Sequence, residues 1–574
     1  MHVATIKSRQ VRKSGDEREY VSHLLRHTYR EGGKVRHQTL ANLSALPEEA
    51  VAAVRAVLAG RPLLEAETEL EVARSLRHGD AAAVWAQAHA LGLPGLLGPA
   101  GRSRDLALAL IVARVLRPRS KLATTRWFAD STLGADLGVA DVGTDEVYAA
   151  MDWLLARQDR IEAGLAGRHL SEGSMVLFDL SSSWVEGRRC PLAARGYSRD
   201  GKRNRAQIEY GLLTDAAGRP VAVRVFPGNT ADPTAFTAAV DAVRDKFGLR
   251  EVIMVGDRGM ITAARIAALR QLGDAGWITA LRAPAIAKLA AADDGPLQLG
   301  LFDQADLAEI THPDYPGERL IVCRNPALAA ERARKRGELL AATEAALAPL
   351  VAAVAADRLT GADKIAKKVG RVDNKFKMAK HLDIAITDTT LTITRRQADI
   401  AAEAALDGIY VLRANVRGHD LAAADVVSAY KNLANVERDF RTIKVDDLDL
   451  RPIHHRLADR VRAHVLICML AAYLVWHLRR TLAPLTFTDE NPPTRTDPVG
   501  PAHRSAAATT KSSRGADTDD RPVRGFRELL DHLAALTRNH IRLGDRYIDV
   551  LTTPTPTQRR AFDLLGVPIP HTLT

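Results

Sequence analysis

The stretch from Met175 to Arg282 limits the fold of this chain more than any other. It opens with the apolar run MVLFDLSSS, continues with AQIEYGLLTD and PVAVRVF around a turn at Ala216–Arg219, and then alternates helix-like segments with the runs EVIMVGD and GWITALR. Short apolar runs bounded by turn residues are typical of strands, and a meander followed by strand and helix alternation requires both strand directions. The pattern therefore predicts an α/β domain with a mixed sheet.

The flanking segments have other patterns. YVSHLLRHTYREGGKVRHQTLANL predicts a β-hairpin that turns at Glu31-Gly32-Gly33, and Ala- and Leu-rich spacing from about residue 65 to residue 170 predicts a separate helical domain. Residues 283–407 mix short strands with one long helix after Pro326, and IYVLRANV then restores a strand. Residues 483–524 are rich in Pro, Ser, Thr and charge without periodicity, which predicts a flexible linker.

Composition excludes several classes of protein. Of the 574 residues, 46% are hydrophobic and 26% charged, which excludes a wholly disordered, collagen-like or disulfide-scaffold chain. The three cysteines lie far apart without zinc-type spacing, which favours a reducing, cytoplasmic compartment. The longest apolar run, Val465 to Trp476, is shorter than the ~20 residues of a membrane span, so we expect no membrane association. A net charge of +11 permits a nucleic acid partner and also suits many other soluble enzymes.

Two aspartates follow apolar strands. Asp179 ends the run MVLFD, and Asp257 ends the run EVIMVGD. Ligands of α/β sheets tend to lie at the carboxyl ends of strands, so both side chains are candidate site residues. The alternative is that each Asp opens a turn or caps the following helix.

A third acid lies in a basic helical segment. On one helix, Tyr430, Glu437, Arg441 and Lys444 would share a face beside an apolar stripe of Val436, Phe440 and Ile443. The alternative is an amphipathic helix whose Glu437 and Arg441 form an exposed salt bridge of little energetic value.

Together, these elements resemble the DDE transposases of bacterial insertion sequences, specifically the insertion sequence four group with its YREK signature. The chain shows VLFDLSS, VIMVGDRGM and Tyr430-x6-Glu437-x6-Lys444, and the segments RGYSRDGKRNRAQIEYGLLTD and VFPGNTADPTAF are also similar to this group. It departs at Leu433, where the signature has Arg, so that role is absent or falls to Arg438 or Arg441. The resemblance covers roughly residues 171–480.

The resemblance implies an α/β fold: an RNase H-like, mixed-sheet catalytic domain interrupted by a β-rich insertion, with an N-terminal helical domain. The expected segments are a β-hairpin region (1–60), a helical DNA-binding domain (61–170), the first catalytic part (171–282), the insertion (283–407), the second catalytic part with the Glu-bearing helix (408–482), the linker (483–524) and a C-terminal helix and tail (525–574).

The implied chemistry is DNA cleavage at transposon ends followed by strand transfer into target DNA. Asp179, Asp257 and Glu437 would be the catalytic residues and would hold two Mg²⁺ ions, for which Mn²⁺ could substitute, with Asp179 bridging the pair. Two such ions stabilise both oxygens of an in-line displacement at phosphorus, and Mg²⁺ prefers oxygen ligands.

The implied partners are terminal inverted repeats and target DNA, bound by a homodimer in a bacterial cytoplasm, in association with the nucleoid. The expected DNA contacts are Tyr430, Lys444, Arg441, Arg438, Arg258, Lys202 and Arg203. Two basic clusters support a polyanion: residues 184–205 and 361–381 each carry seven Lys or Arg against two acids, a net charge of +5.

Two other functions remain open from the sequence. One is an RNase H-like, metal-dependent nuclease that hydrolyses DNA without strand transfer. The other is a non-catalytic DNA-binding protein whose acids are structural. Asp446, Asp447 and Asp449 also compete with Glu437 as the third acid, although they lie beyond its basic segment.

Overall fold

The computed structural model describes residues 1–11, 17–60, 70–202, 204–271, 275–291, 302, 306–495, 497–544 and 546–573. It divides into two compact units. The first comprises Met1–Leu76 and Thr537–Thr552, and the second comprises Arg77–Leu536 and Thr553–Thr574.

The described strands are His2–Val11 (β1), Glu17–Glu31 (β2), Lys34–Asn42 (β3), Leu70–Arg77 (β4), Met175–Trp184 (β5), Gln207–Asp215 (β6), Pro220–Pro227 (β7), Ile253–Val255 (β8), Gly276–Ala280 (β9), Leu307–Ile310 (β10), Arg319–Arg324 (β11), Leu382–Ile386 (β12), Leu391–Arg395 (β13), Ile409–Ala414 (β14), Thr537–Leu543 (β15) and Arg546–Leu551 (β16).

The described α-helices are Glu48–Leu58 (α1), Gly79–Ala90 (α2), Leu93–Leu97 (α3), Arg102–Leu116 (α4), Lys121–Phe128 (α5), Thr132–Asp136 (α6), Thr144–Leu155 (α7), Gln158–His169 (α8), Asp232–Asp241 (α9), Ala263–Gln271 (α10), Ala283–Ala291 (α11), Pro326–Ala355 (α12), Ala362–Phe376 (α13), Gln397–Ala404 (α14), Ala423–Lys431 (α15), Leu433–Arg441 (α16), Ala458–Thr481 (α17), Ala506–Arg514 (α18), Phe526–Ala534 (α19) and Pro556–Leu565 (α20). Short π-helical turns, Ala242–Lys246 and Thr442–Asp446, follow α9 and α16.

The first unit is built mainly from strands. β1, β2 and β3 form an antiparallel sheet, and the β2–β3 hairpin turns at Gly32 and Gly33, whose φ angles are 57° and 78°. β4 joins β15 and β16 in a second three-stranded sheet. A separate N-terminal helical domain is not supported, because the chain begins with strands and the helices from Gly79 to His169 belong to the unit that contains the main sheet. The predicted boundary at residues 60–61 adjoins 61–69, which lie outside the described residues.

The second unit is organised around one eight-stranded sheet, in the order β10-β11-β14-β9-β8-β5-β6-β7. β5, β8 and β9 are parallel to one another, and the remaining neighbours are antiparallel. β6 is buried along its whole length. The predicted mixed-sheet α/β fold is confirmed, including the meander β5-β6-β7 and the turn at residues 216–219.

The helices between residues 79 and 169 pack on this sheet unit and share its core. α17 is the central helix, buried from Ala463 to Val475 and packed on α4, α7 and β7. By length and composition alone, α12 and α17 could each cross a membrane, but 83% of the apolar window of α17 is buried inside the protein, against 22% for α12. An apolar helix of this kind is expected in the core of a large domain. The length and composition of α12 and α17 are therefore weak evidence for a membrane span.

The segment 283–407 differs from the β-rich insertion that we expected. β10 and β11 belong to the main sheet, where β11 pairs with β14. What remains is chiefly helical: α12 and α13 pack with the β12–β13 hairpin around a separate core of Leu340, Leu347, Val354, Leu359, Ile365, Val369, Met378, Leu382 and Leu391. The predicted strand content was too high because it rested on the short apolar runs, whereas the 30 residues of α12 make the segment chiefly helical.

The predicted flexible linker, 483–524, is also corrected. It contains α18, and its polar sequence includes anchors that are buried in the second unit. Val499 is 1% exposed and Lys511 is 4% exposed. The Lys511 ammonium donates to the Ala483 carbonyl at 3.1 Å and to Glu490, and the Val499 carbonyl accepts from Lys431. The overall composition of the segment does not reveal such isolated buried residues, because most of the segment is polar.

Gly228 gives a test of the packing beside the main sheet. A Cβ at this position would lie 1.9 Å from the Gln207 carbonyl oxygen and 2.6 Å from that of Ala194. We therefore expect Gly228→Ala to lower the free energy of unfolding by about 2–3 kcal/mol through overpacking. Urea unfolding measures the change, and Gly167→Ala is the control: this exposed position in α8 has no atom within 4 Å of the added Cβ, so a gain of up to about 1 kcal/mol is expected from helix propensity.

Candidate active site

Two neighbouring parallel strands bring the first two acids together. In the register of β5 and β8, Leu177 lies opposite Val255. Asp179 and Asp257 each follow two residues further along the chain. Because the two strands run in the same direction, these carboxylates leave the sheet at one level.

The position of Asp179 within its strand differs from the prediction, which placed it at the carboxyl end. β5 continues beyond Asp179 to Trp184, because β6 remains paired with it as far as Gln207. β8 stops at Val255. Asp179 therefore lies beside the point where the parallel pairing ends, on a strand that is held on its other edge.

The surroundings of Asp179 disfavour its ionisation. Burial raises its pKa to about 7, and the charges of Asp257 and Glu437 add to the rise. The Leu180 N–H, which donates to Oδ1 at 2.8 Å, and the Arg199 charge act in the opposite direction. Since charge interactions weaken with distance, this effect is consistent with Asp257 and Glu437 lying near Asp179.

Asp257 is exposed and is held by the backbone that follows it. Its Oδ1 accepts the N–H groups of Gly259 at 2.9 Å and Met260 at 2.8 Å. This geometry is an Asx turn, so the structural alternative considered for Asp257 describes its local role correctly. The same two hydrogen bonds fix the carboxylate at the end of β8, which also suits a ligand.

Glu437 is presented by a helix that packs on β5 and β6. Val436 and Phe440 of α16 are buried, and the Phe440 ring meets the Tyr210 ring edge to face at 5.7 Å between centroids. Glu437 itself is exposed on the other side of the helix. The apolar stripe thus fixes α16 on the sheet and leaves the third acid accessible.

Tyr430 completes this group from α15. Burial raises its pKa to about 12, and the charges of Asp257, Asp179 and Glu437 contribute to the rise, while Arg258 opposes it. The hydroxyl therefore stays protonated at neutral pH and can donate a hydrogen bond. Tyr430, Arg258 and the three acids are brought together from four separate parts of the chain.

The predicted single helical face is corrected. Asn432 lies between α15 and α16, and the π-helical turn Thr442–Asp446 follows Arg441. A π turn changes the angle between successive side chains. As a result Arg438 and Arg441 are exposed, whereas Lys444 is 9% exposed.

Lys444 belongs to a buried ion-pair cluster with Asp200 and Arg451. Its Nζ lies 2.9 Å from Asp200 Oδ1, and Arg451 donates to the same oxygen. Burial is the main reason that the pKa of Lys444 is lowered. Asp200 and Arg451 were not among the residues predicted from the sequence, where the only signal for this cluster is an acid inside the basic segment 184–205.

Two further basic residues, Lys202 and Arg203, were predicted to contact DNA. Lys202 is exposed, with Nζ 5.6 Å from the centroid of the Trp184 ring. Arg451 covers the same ring at 5.2 Å. Arg203 lies outside the described residues.

The acids fit a divalent cation chemically. All three offer carboxylate oxygens, the donors that Mg²⁺ and Mn²⁺ prefer, and a cation would offset the burial and the neighbouring negative charges that raise the Asp179 pKa. Among the described residues, no three His, Cys, Asp or Glu side chains are gathered closely enough to form the ligand set of one ion. The carboxylates are thus neighbours without forming a closed cage.

Comparisons with known proteins identify the class. A family model described as "Transposase DDE domain" matches residues 182–474, about half of the chain, so the chain belongs to the DDE transposases. A second model, "IS1634 family transposase, N-terminal domain", matches residues 6–69, which makes the chain a transposase of the insertion-sequence type. The first match contains Asp257 and Glu437 and begins shortly after Asp179. Members of this class act on DNA and generally use divalent metal ions.

Solved structures and curated proteins give no further support for this assignment. The cryo-EM structure of a piggyBac transposase synaptic complex with hairpin DNA is 8% identical, with a TM-score of 0.32 over 70% of this chain and 73% of that chain. That likeness is too low to carry an argument. No curated protein matches the chain.

Proposed function

We propose that this transposase uses Asp179, Asp257 and Glu437 to cleave DNA at terminal inverted repeats and to transfer the released strand into target DNA. The observation that carries the proposal is the register of β5 and β8, which places Asp179 and Asp257 at one level of the sheet, together with the charge effect of Asp257 and Glu437 on Asp179. The arrangement supports an RNase H-like catalytic domain and membership of the insertion sequence four group, with Leu433 as the departure from its signature.

The three acids would hold two Mg²⁺ ions, or Mn²⁺ as a substitute. Bound there, the ions would neutralise charge on the attacking and leaving oxygens. Asp179, the most buried of the three, would be shared between the ions. Asp257 is orientated by its two backbone donors and Glu437 by the packing of α16, so both carboxylates are held before DNA binds.

The surrounding residues would position DNA. The Tyr430 hydroxyl can donate to a phosphate oxygen, and the exposed guanidinium groups of Arg258, Arg438 and Arg441 can pair with the backbone. Lys202 extends this basic surface, and Arg203 is proposed with it from the sequence alone. Lys444 would act from within the Asp200 ion-pair cluster. A homodimer that holds two DNA ends, in the bacterial cytoplasm and associated with the nucleoid, completes the proposal.

The test is cleavage and joining with terminal repeat DNA and a supercoiled target in the presence of Mg²⁺. We expect Asp257→Asn and Glu437→Gln to reduce both steps by about 10³-fold or more, as for groups that act as a unit, while DNA binding remains. Asp446→Asn is the matched control, because Asp446 is an exposed acid just beyond α16. Loss of activity in the Asp446 variant with normal activity in the Glu437 variant would reassign the third acid.

The same assay separates the alternative functions. Strand-transfer products support a transposase mechanism at these residues. Hydrolysis alone, with cognate ends and target present, would favour a nuclease. Intact DNA with the unmodified chain would contradict the proposed catalysis.

A further inference from the structure

A cavity that none of the three acids lines has an unusual set of lining residues. Its volume is about 330 Å³, within the ~300–1,000 Å³ range of ligand pockets. Its lining brings together the end of α4, the start of α5, the segment after the π turn and the first half of α17. The cationic and imidazole side chains that line it are Arg114, Arg119, Lys121, Arg451, His454, His455 and His464, and Asp449 is the carboxylate on the same lining.

Two of the cations are buried without a carboxylate partner. Arg114 and Lys121 are each 6% exposed. In the part of the chain that the structure describes, neither lies within 4 Å of a carboxylate oxygen. Arg114 donates to the carbonyls of Leu448 and Arg119, and the Lys121 ammonium lies 3.2 Å from His464 Nδ1. Burying like charges side by side is unfavourable unless a counter-charge compensates them.

Imidazole side chains lie beside these buried basic groups and add no negative charge. His464 is 6% exposed, and its ring lies 5.1 Å from the His455 ring. Burial and the neighbouring charge of Arg114 hold the pKa of Lys121 well below its usual range, and burial with Lys121 and Arg114 lowers that of His455 to about 3. Burial and the neighbouring positive charges thus both disfavour the charged forms of these side chains, and an anion in the cavity would counter that effect.

A second basic cavity adjoins the first. It has a volume of about 290 Å³, shares His454 and His455 with the first cavity, and is also lined by Arg188, Arg189 and Arg456. Glu186 is the acid on that lining. A linear polyanion could follow the two cavities, because DNA carries a negative charge at every phosphate.

We propose that the cavity between α4, α5 and α17 binds a phosphate group through Lys121, Arg114 and Arg119, with the imidazole of His455 as a further donor. The phosphate belongs to a DNA backbone or to a small phosphate ester. An oxyanion in this position compensates the buried cations and receives several charge-assisted hydrogen bonds. Asp449, the carboxylate on the same lining, is exposed to solvent.

Equilibrium dialysis of the full chain against radiolabelled inorganic phosphate tests the proposal. We expect saturable binding, a loss of at least tenfold in affinity for Lys121→Met, and a smaller loss for Arg119→Gln. Arg119 is exposed, so its variant keeps the fold even if the change at Lys121 does not. Arg126→Gln is the matched control, because Arg126 is exposed on the same helix, α5, and does not line this cavity.

A short DNA duplex added to the dialysis identifies the source of the phosphate. Displacement of inorganic phosphate from the unmodified chain assigns the site to the DNA backbone, whereas retained binding assigns it to a small phosphate ester. No saturable binding, or binding unchanged in both Lys121→Met and Arg119→Gln, overturns the proposal. Binding is measured without cleavage, so this result is independent of the proposed roles of the three acids.

Discussion

Asp179→Asn is expected to have opposite effects on activity and stability. Cleavage should fall by about 10³-fold or more, because the variant loses the carboxylate shared by the proposed ions. The metal-free protein should become more stable, because burial and two neighbouring acids raise the pKa of Asp179 to about 7. A carboxyl group with a raised pKa in the folded state costs stability once the unfolded chain ionises.

The pH dependence has a definite sign. The ordinary pKa of an Asp is 3.8, so the cost appears as pH rises through that value and is complete above about pH 7. The variant should therefore gain more at pH 8 than at pH 5, with at most about 4 kcal/mol at pH 8. Urea unfolding at the two pH values measures the gain, with Asp446→Asn as the exposed control. A gain that is equal at both pH values would contradict the effect of Asp179 ionisation.

Asp200→Asn is expected to cause the largest loss of stability of the single changes considered. Asp200 is 2% exposed at its side chain, and its Oδ1 accepts from both Lys444 and Arg451. Removing the shared carboxylate leaves two cations without their partner, one of them buried. The free energy of unfolding should fall by about 3–5 kcal/mol.

A double-mutant cycle with Lys444→Met separates this effect from simple loss of packing. If the ion pair causes the loss, the double variant should be more stable than the sum of the single changes predicts, by at least about 1 kcal/mol. Strictly additive losses would show that Asp200 acts through other contacts. Asp563→Asn in α20 provides a carboxylate-to-amide control far along the chain.

The mixed character of the main sheet and its meander β5-β6-β7 were predictable because they depend on local patterns, whereas the place of β10 and β11 in the same sheet was not. The alternation of apolar runs around Asp179 and Asp257 specifies strands, and strand direction follows from the lengths of the connections between them. Asp179 and Asp257 could be selected for the same reason, since they end the apolar runs MVLFD and EVIMVGD. Glu437 required the resemblance as well, because a helix in sequence does not reveal which sheet it packs against.

The remaining features depend on long-range packing. Lys444 was expected on the exposed face of a helix, but the π turn after Arg441 directs it to Asp200, more than two hundred residues away in sequence. Lys511 shows the same limit in a polar segment, where a single buried ammonium anchors residues that composition alone assigns to a linker. Such contacts depend on tertiary structure, which overrides local propensity.

The order of strands in the sheet has a consequence for synthesis of the protein. β14 pairs with β9 across the long segment that contains α12 and α13, and Glu437 follows β14 on the chain. Domains generally begin to fold from the N-terminal side as the chain emerges. A nascent chain that has reached residue 280 therefore already carries Asp179 and Asp257 on neighbouring strands, but the third acid can join them only after the whole intervening segment has been made. During that interval the growing transposase has two acids of its proposed set and is expected to leave DNA uncut.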